Sequence, residues 1–198
     1  ATDKGVGIFY DGGTKENKAT IKQHAGNNNL INIYAQDIAL VNNADQEVSQ
    51  NGIGIFIKGP GIASTLENKK ELSLTGSDSV GIVTETGSSV IAAGKITGVN
   101  GEHDKIGVYV KGGDISGTSA YDFDIDGGIG MYLKSYIDYA GTMIVGGTTF
   151  NDGIDDHRTI GIYVDSSVNN LAKDLNANIK VTGEEGVGIY LAKTGMTG

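Results

Sequence analysis

A short pattern of small, aliphatic and aromatic positions recurs along the whole chain. It reads small or polar, Ile/Val, Gly, aliphatic, aromatic, aliphatic. The near-copies are GVGIFY at 5–10, GIGIFI at 52–57, SVGIVT at 79–84, KIGVYV at 105–110, GIGMYL at 128–133, TIGIYV at 159–164 and GVGIYL at 186–191. A further copy, LINIYA at 30–35, carries Asn32 where the others carry Gly. The central positions are 7, 32, 54, 81, 107, 130, 161 and 188, at intervals of 25, 22, 27, 26, 23, 31 and 27. Self-similarity at such a period marks a solenoid, propeller or array. Within each copy the alternation is that of a half-buried strand. Ile53, Ile55 and Ile57, Ile106, Val108 and Val110, and Ile160, Ile162 and Val164 are predicted to face a core. The other face carries the Gly and then Phe9, Tyr34, Phe56, Tyr109, Tyr132, Tyr163 or Tyr190, with Val83 as the exception. A helix would need a 3.6-residue period, which these segments lack.

Two further stretches fill each period. IKQHAG at 21–26, LSLTG at 72–76, KITG at 95–98, FDIDG at 123–127 and IKVTG at 179–183 precede motif copies. A looser third stretch follows the motif, as in SSVIAAG at 88–94 and TMIVGG at 142–147. Gly, Asn and Asp at the corners suit positive-φ turns. Three short strands in about 26 residues predict an all-β fold. It is a parallel, right-handed β-helix or β-solenoid of about eight coils with three short strands per coil, spanning 1–198 as one segment. A propeller blade needs four strands in a longer repeat, and the Leu/Asn framework of leucine-rich repeats is missing. Stacked strands about 4.7–4.9 Å apart predict a rod on the order of 35–40 Å long. Like residues should stack, giving an inner Ile/Val ladder and an outer Phe/Tyr ladder, each ring lying over the Gly of an adjacent coil. The interval of 31 implies a bulging loop, and NNLAKDLNANIK at 169–180 is predicted to hold a short helical turn.

Composition narrows the function classes. Gly occupies 32 of 198 positions, against one Pro, no Cys and no Trp. The absence of Cys removes disulfides, zinc–thiolate sites and thiol nucleophiles. The net charge is −9 and Arg158 is the only arginine. That balance argues against nucleic acid, whose binders need a basic stripe. No apolar run reaches a membrane span, so direct membrane insertion by this segment is not expected. No signal peptide is visible. The chain opens and closes on motif copies, and the expectation is a segment of a longer array.

The recurrent VGIY and IGIY strands, Gly/Asn-rich corners and preceding Thr-Gly steps resemble the passenger regions of very large fusobacterial type V autotransporter adhesins. The resemblance runs from Gly5 to Leu191. It implies a β-helical passenger, exported to the cell surface and anchored in the outer membrane by a C-terminal barrel outside this sequence. The implied function is adhesion and virulence: attachment to a host receptor or glycan, or to a partner bacterium. It implies no catalytic motif and no cofactor. Parallel β-helices also host polysaccharide lyases and hydrolases, but those need convergent carboxylates or a metal with a basic partner. A single arginine and no isolated carboxylate pair argue against an enzyme. An inert spacer within a larger surface protein is the remaining alternative.

Four features carry candidate chemistry. The outer aromatics offer rings for sugars or partner pockets, although a ladder along the whole array reads as architecture. Asp122, Asp124 and Asp126 in DFDIDGG resemble the start of a calcium loop, but Leu133 stands where the bidentate Glu would be. Strand alternation turns these carboxylates outward as an acidic face, with Phe123 and Ile125 inward. Asp152, Asp155, Asp156, His157 and Arg158 gather in one insertion, NDGIDDHR at 151–158, a plausible partner contact on a rigid scaffold. Tyr136 and Tyr139 in YLKSYIDY are expected beside it as exposed aromatics. The Gly strings do not open a helix and so do not form a phosphate loop. His24, His103 and His157 lie in different coils without ligand spacing.

Overall fold

The structure is a computed structural model. It describes residues 5–24, 29–98, 103–115, 120–135, 137, 139–148, 150–151, 156–165, 167–168, 177–183 and 185–192, with the backbone alone at 150–151 and 156–157. Every regular element among them is a strand. The motif copies form one continuous parallel ladder. Gly5–Asn17, Leu30–Asn42, Ile53–Lys58, Val80–Thr84, Ile106–Val110, Ile129–Leu133, Ile160–Val164 and Val187–Leu191 pair in that order, each on the next. Leu30–Asn42 takes its place in that ladder, so the Asn32 copy is a true member of the repeat.

A second parallel sheet of seven strands stacks Ile21–Lys22, Gln46–Val48, Leu72–Leu74, Lys95–Gly98, Tyr121–Ile125, Thr142–Gly146 and Asn178–Val181. The third face is made by the C-terminal halves of the two long strands, then Ser64–Asn68, Ser88–Ala92 and Asp114–Ile115. The chain is thus a β-solenoid, of about six turns rather than eight. The motif count overstates closed turns because it counts layers on one face. The third face has regular strands in its first layers only.

Two local expectations change. Thr142–Gly146 belongs to the second face, not the third, because it pairs with Tyr121–Ile125 and with Asn178–Val181. The segment predicted to turn helically lies outside the described residues at 169–176, and Asn178–Val181 is strand.

Burial in the motif strands departs from simple alternation. The residue after Gly is fully buried: Ile33, Ile55, Ile82, Val108, Met131 and Ile162 are each 0% exposed. The residue two further on is also in the core, as with Ala35, Ile57 and Val110. The residue before Gly is not. Ile53, Ile106 and Ile160 were expected inside, yet each is half-buried and outside the core cluster. The Gly has taken the inward position instead. A Cβ on Gly54 would meet Val48 Cγ2 at 3.1 Å, and one on Gly107 would meet Phe123 Cε1 at 2.6 Å. The facing strand comes so close that no side chain fits, and the backbone turns at Gly so that two consecutive residues point inward. The pairing register skips the Gly in these layers.

Columns of buried polar side chains tie the three corners. Where the motif strand turns to the third face, Ser64 Oγ donates to the Lys58 carbonyl (2.7 Å) and accepts from Ile38 N (2.9 Å). In the next layer Ser88 Oγ lies 2.6 Å from the Glu85 carbonyl oxygen. The same corner bends Asp37 to φ 51°. Its carboxylate accepts from Gly61 N and Ile62 N, both at 2.8 Å, and these bonds hold its pKa below the ordinary value. Before the motif strand, Ser79 Oγ donates to the Gly76 carbonyl, Lys105 Nζ to Gly98 and Thr159 Oγ1 to Ile125, at 2.6, 2.8 and 3.0 Å. Between the third and second faces Asn17, Asn42 and Asn68 form a ladder with 2.6 Å amide–amide bonds.

Thr84 is the exception among these polar groups. It occupies the core column between Ile57 and Val110, fully buried, and its Oγ1 has no hydrogen-bond partner. Thr84→Val keeps the shape and removes an unpaid desolvation, so it should stabilise the fold by roughly 1 kcal/mol. Urea denaturation checks this; a lower midpoint would contradict it.

Candidate functional site

The outer face of the motif sheet is the largest regular surface. Its aromatic column stacks ring on ring: Phe9 on Tyr34 (5.3 Å between centroids), Tyr34 on Phe56 (5.0 Å), Tyr132 on Tyr163 (4.8 Å) and Tyr163 on Tyr190 (5.2 Å). Tyr109 meets Tyr132 edge-to-face at 5.3 Å. The rings therefore cover one another, not the Gly of a neighbouring coil, because the Gly has turned inward. Rings stacked face to face offer mainly their edges to a ligand, which is poor geometry for laying a sugar on an aromatic face. At Val83 the column loses its ring, and Val83 is itself only 4% exposed.

Beside the aromatics runs a charged column. Lys111 Nζ pairs with Glu85 Oε1 at 2.7 Å, and Lys58 Nζ sits 5.4 Å from the Tyr34 ring centre. Tyr132 Oη donates to Asp165 Oδ2, and Ser167 N donates to Asp165 Oδ1 at 2.8 Å. The bonds from Ser167 and Tyr132 lower the Asp165 pKa to about 2, while partial burial and that carboxylate push the Tyr132 phenol well above its usual range. These charges are internally matched.

The acidic triplet lies as alternation requires. Tyr121, Phe123 and Ile125 are buried in the second sheet, and Asp122 and Asp124 face outward. Asp126 Oδ1 accepts from Thr148 N (2.8 Å) and Thr148 Oγ1 (3.1 Å), which makes it a corner clamp. Among the described residues no group of three or more His, Cys, Asp or Glu is placed to hold a metal. A hollow of about 270 Å³ on the same face is lined by Asp45, Glu47, Glu71 and Lys22. Its groups are partnered: Lys22 with Glu47 at 3.2 Å, Thr97 Oγ1 with Glu71 at 2.8 Å, and Glu71 N with Asp45 at 3.2 Å.

The irregular segment gives a mixed result. Tyr139, expected as an exposed aromatic, is fully buried. Its ring meets Tyr121 edge-on at 5.6 Å, and burial raises its phenol to about 12. With Ile137 it fills core space beside a face that has no regular strand in this layer. Tyr136, Asp152 and Asp155 lie outside the described residues. The backbone of Asp156–His157 pairs antiparallel with that of Phe150–Asn151, and Arg158 is exposed. This hairpin is the one antiparallel pair of strands among the described residues.

One surface went unread in the sequence. The column before Gly, with Ile31, Ile53, Val80, Ile106, Ile129 and Ile160, is half-buried and outward, parallel to the aromatics. Interior Gly in a strand was the available signal, since it marks a bulge or a close backbone approach. Comparison with family models, curated proteins and solved structures returns no match for the chain.

Proposed function

We propose that the chain is a rod segment of a bacterial cell-surface adhesin, carried as the exported passenger of an outer-membrane protein. In this reading the stacked core is scaffold, and the irregular segment over 134–158 contacts a host receptor or glycan, or a partner bacterium. The observation that carries it is the antiparallel Phe150–His157 hairpin, set where the motif spacing is longest in an otherwise parallel array. A rigid repetitive rod interrupted at one point concentrates variable chemistry at that point. The acidic surface, net −9, keeps such a rod soluble and turns away polyanions.

The test exchanges 150–157 for a short Asn-Gly turn and measures binding of the segment to host cells, partner bacteria and a glycan array. Binding by the parent and at least about tenfold weaker binding by the exchanged form, with unchanged melting, supports the reading. No binding by the parent makes the segment a spacer. The reading assigns no catalysis. New reducing ends or unsaturated products from acidic or neutral polysaccharides would replace it with an enzyme.

A further inference from the structure

The outward Val/Ile column and the aromatic column together form one apolar stripe. They are three residues apart on each strand and repeat in every layer, separated by the inward-turned Gly. Along the described ladder the stripe is roughly 30–35 Å long and about 10 Å wide, taking strand rise and spacing at their usual values. Its area is on the order of 350 Å², whereas a stable protein–protein contact covers about 800 Å² on each partner. Two copies of the chain packed stripe to stripe would fall short of that. The stripe is long, narrow and straight, and so is the occupant it suits.

Three features of the stripe select among narrow occupants. Most ring faces are occupied by neighbouring rings, which disfavours a glycan laid flat on them. The backbone N–H and C=O groups of interior motif strands are spent in ladders on both sides, so an extended peptide on this face would leave its own backbone unpaired. The flanking charges are matched to each other at Glu85–Lys111 and Tyr132–Asp165, leaving apolar contact as the available attraction. An α-helix satisfies its backbone internally and buries a single apolar stripe. Its diameter of about 10–12 Å matches the width, and about 20 residues at 1.5 Å each match the length.

We infer that the outer face of the motif sheet, centred on Ile106, Ile129, Tyr132 and Ile160, is a docking seat for one amphipathic helix of a partner protein. The inference goes beyond the adhesin reading and does not depend on the hairpin.

The test uses a net-neutral 21-residue peptide with Leu at helical spacing, a scrambled peptide of the same composition and an alternating strand-forming peptide. The helical peptide should bind and gain helicity by circular dichroism. Ile106→Lys and Ile129→Lys should each weaken it at least about tenfold. Ile144→Lys, on the outer face of the second sheet, should leave binding unchanged. Melting curves report whether each variant folds; if Ile129→Lys does not, Ile129→Thr replaces it with a smaller expected loss. The inference is overturned if no helical peptide binds at millimolar concentration, if the control peptides bind equally, or if stripe variants bind like the parent. Competition by linear oligosaccharides, or a dimer of the chain abolished by Ile129→Lys, would also overturn it.

Discussion

Asn42→Ala should cost about 4 kcal/mol of folding free energy, measured by urea denaturation, because it strands several buried polar groups at once. Asn42 is fully buried. Its Nδ2 donates to Asn68 Oδ1 at 2.6 Å and to the Ala44 carbonyl at 2.8 Å, and its Oδ1 accepts from Asn17 Nδ2 at 2.6 Å. Alanine leaves one donor and two acceptors facing a void too small for full hydration. Bonds in a chain also polarise one another, so the loss exceeds that of an isolated pair. Asn17→Ala should cost less, because Ala19 beside it is exposed and water can reach the freed groups. Asn42→Asp separates shape from donor chemistry. It keeps the bond from Asn17 and turns two donor positions into acceptors, so the ionised form is disfavoured in the fold. Its folded pKa then lies above the unfolded value of about 3.9. Stability of that variant is lost as pH rises through the folded value and is fullest below about pH 4. A cost for Asn42→Ala under about 1 kcal/mol would show that the ladder contributes little.

The same ladder shows what the sequence could and could not reveal. The solenoid was legible because one strand motif repeats in register, and the second-face strands were legible from their Gly endings. Asn17, Asn42 and Asn68 stand 25 and 26 residues apart, one coil each. Their spacing was visible, but asparagines at corners look alike whether they line a turn or bond across layers. Register decides between the two, and register is a tertiary fact. Lys105 is a similar case. It reads as the polar opening of a strand, yet it is fully buried, with Nζ on the Gly98 carbonyl. Tyr139 was misread because YLKSYIDY has no period-2 pattern, and an aperiodic aromatic next to a loop looks exposed. It is drawn inside because the third face has no regular strand there to fill the core. Asp122 and Asp124 were placed rightly, since Phe123 and Ile125 fix the strand's orientation by their own burial. The outward Ile column failed for the opposite reason: alternation was extended through a Gly at which the backbone does not alternate. The proposed contact hairpin was legible only as a long interval, because interval length reports an insertion and not its chemistry.

Gly107→Ala should destabilise the rod by about 3 kcal/mol, while Gly188→Ala at the equivalent position of the last motif strand should be close to neutral. A Cβ on Gly107 would lie 2.6 Å from the Gly130 carbonyl oxygen and 2.6 Å from Phe123 Cε1. Neither can yield cheaply. The carbonyl belongs to the layer above, and Phe123 is 1% exposed in the facing sheet. At Gly188 the nearest atom is Val181 Cγ2 at 3.7 Å, ordinary contact, and φ is not in the left-handed region. The two variants share the same loss of unfolded-state freedom, so their difference isolates packing from chain entropy. Phe123→Leu added to Gly107→Ala should recover only part of the loss, since it relieves the ring and not the carbonyl. Asn32 shows how the row can accept a side chain: its Nδ2 reaches the Ile21 and Glu47 carbonyls at 3.3 and 3.1 Å and Gln46 Oε1 at 3.4 Å. A residue there is tolerated when the facing strands leave room and supply acceptors. Around Gly107 an aromatic ring fills that room, so equal losses at Gly107 and Gly188 would mean that backbone freedom, and not the close approach of two sheets, is what keeps glycine in the motif.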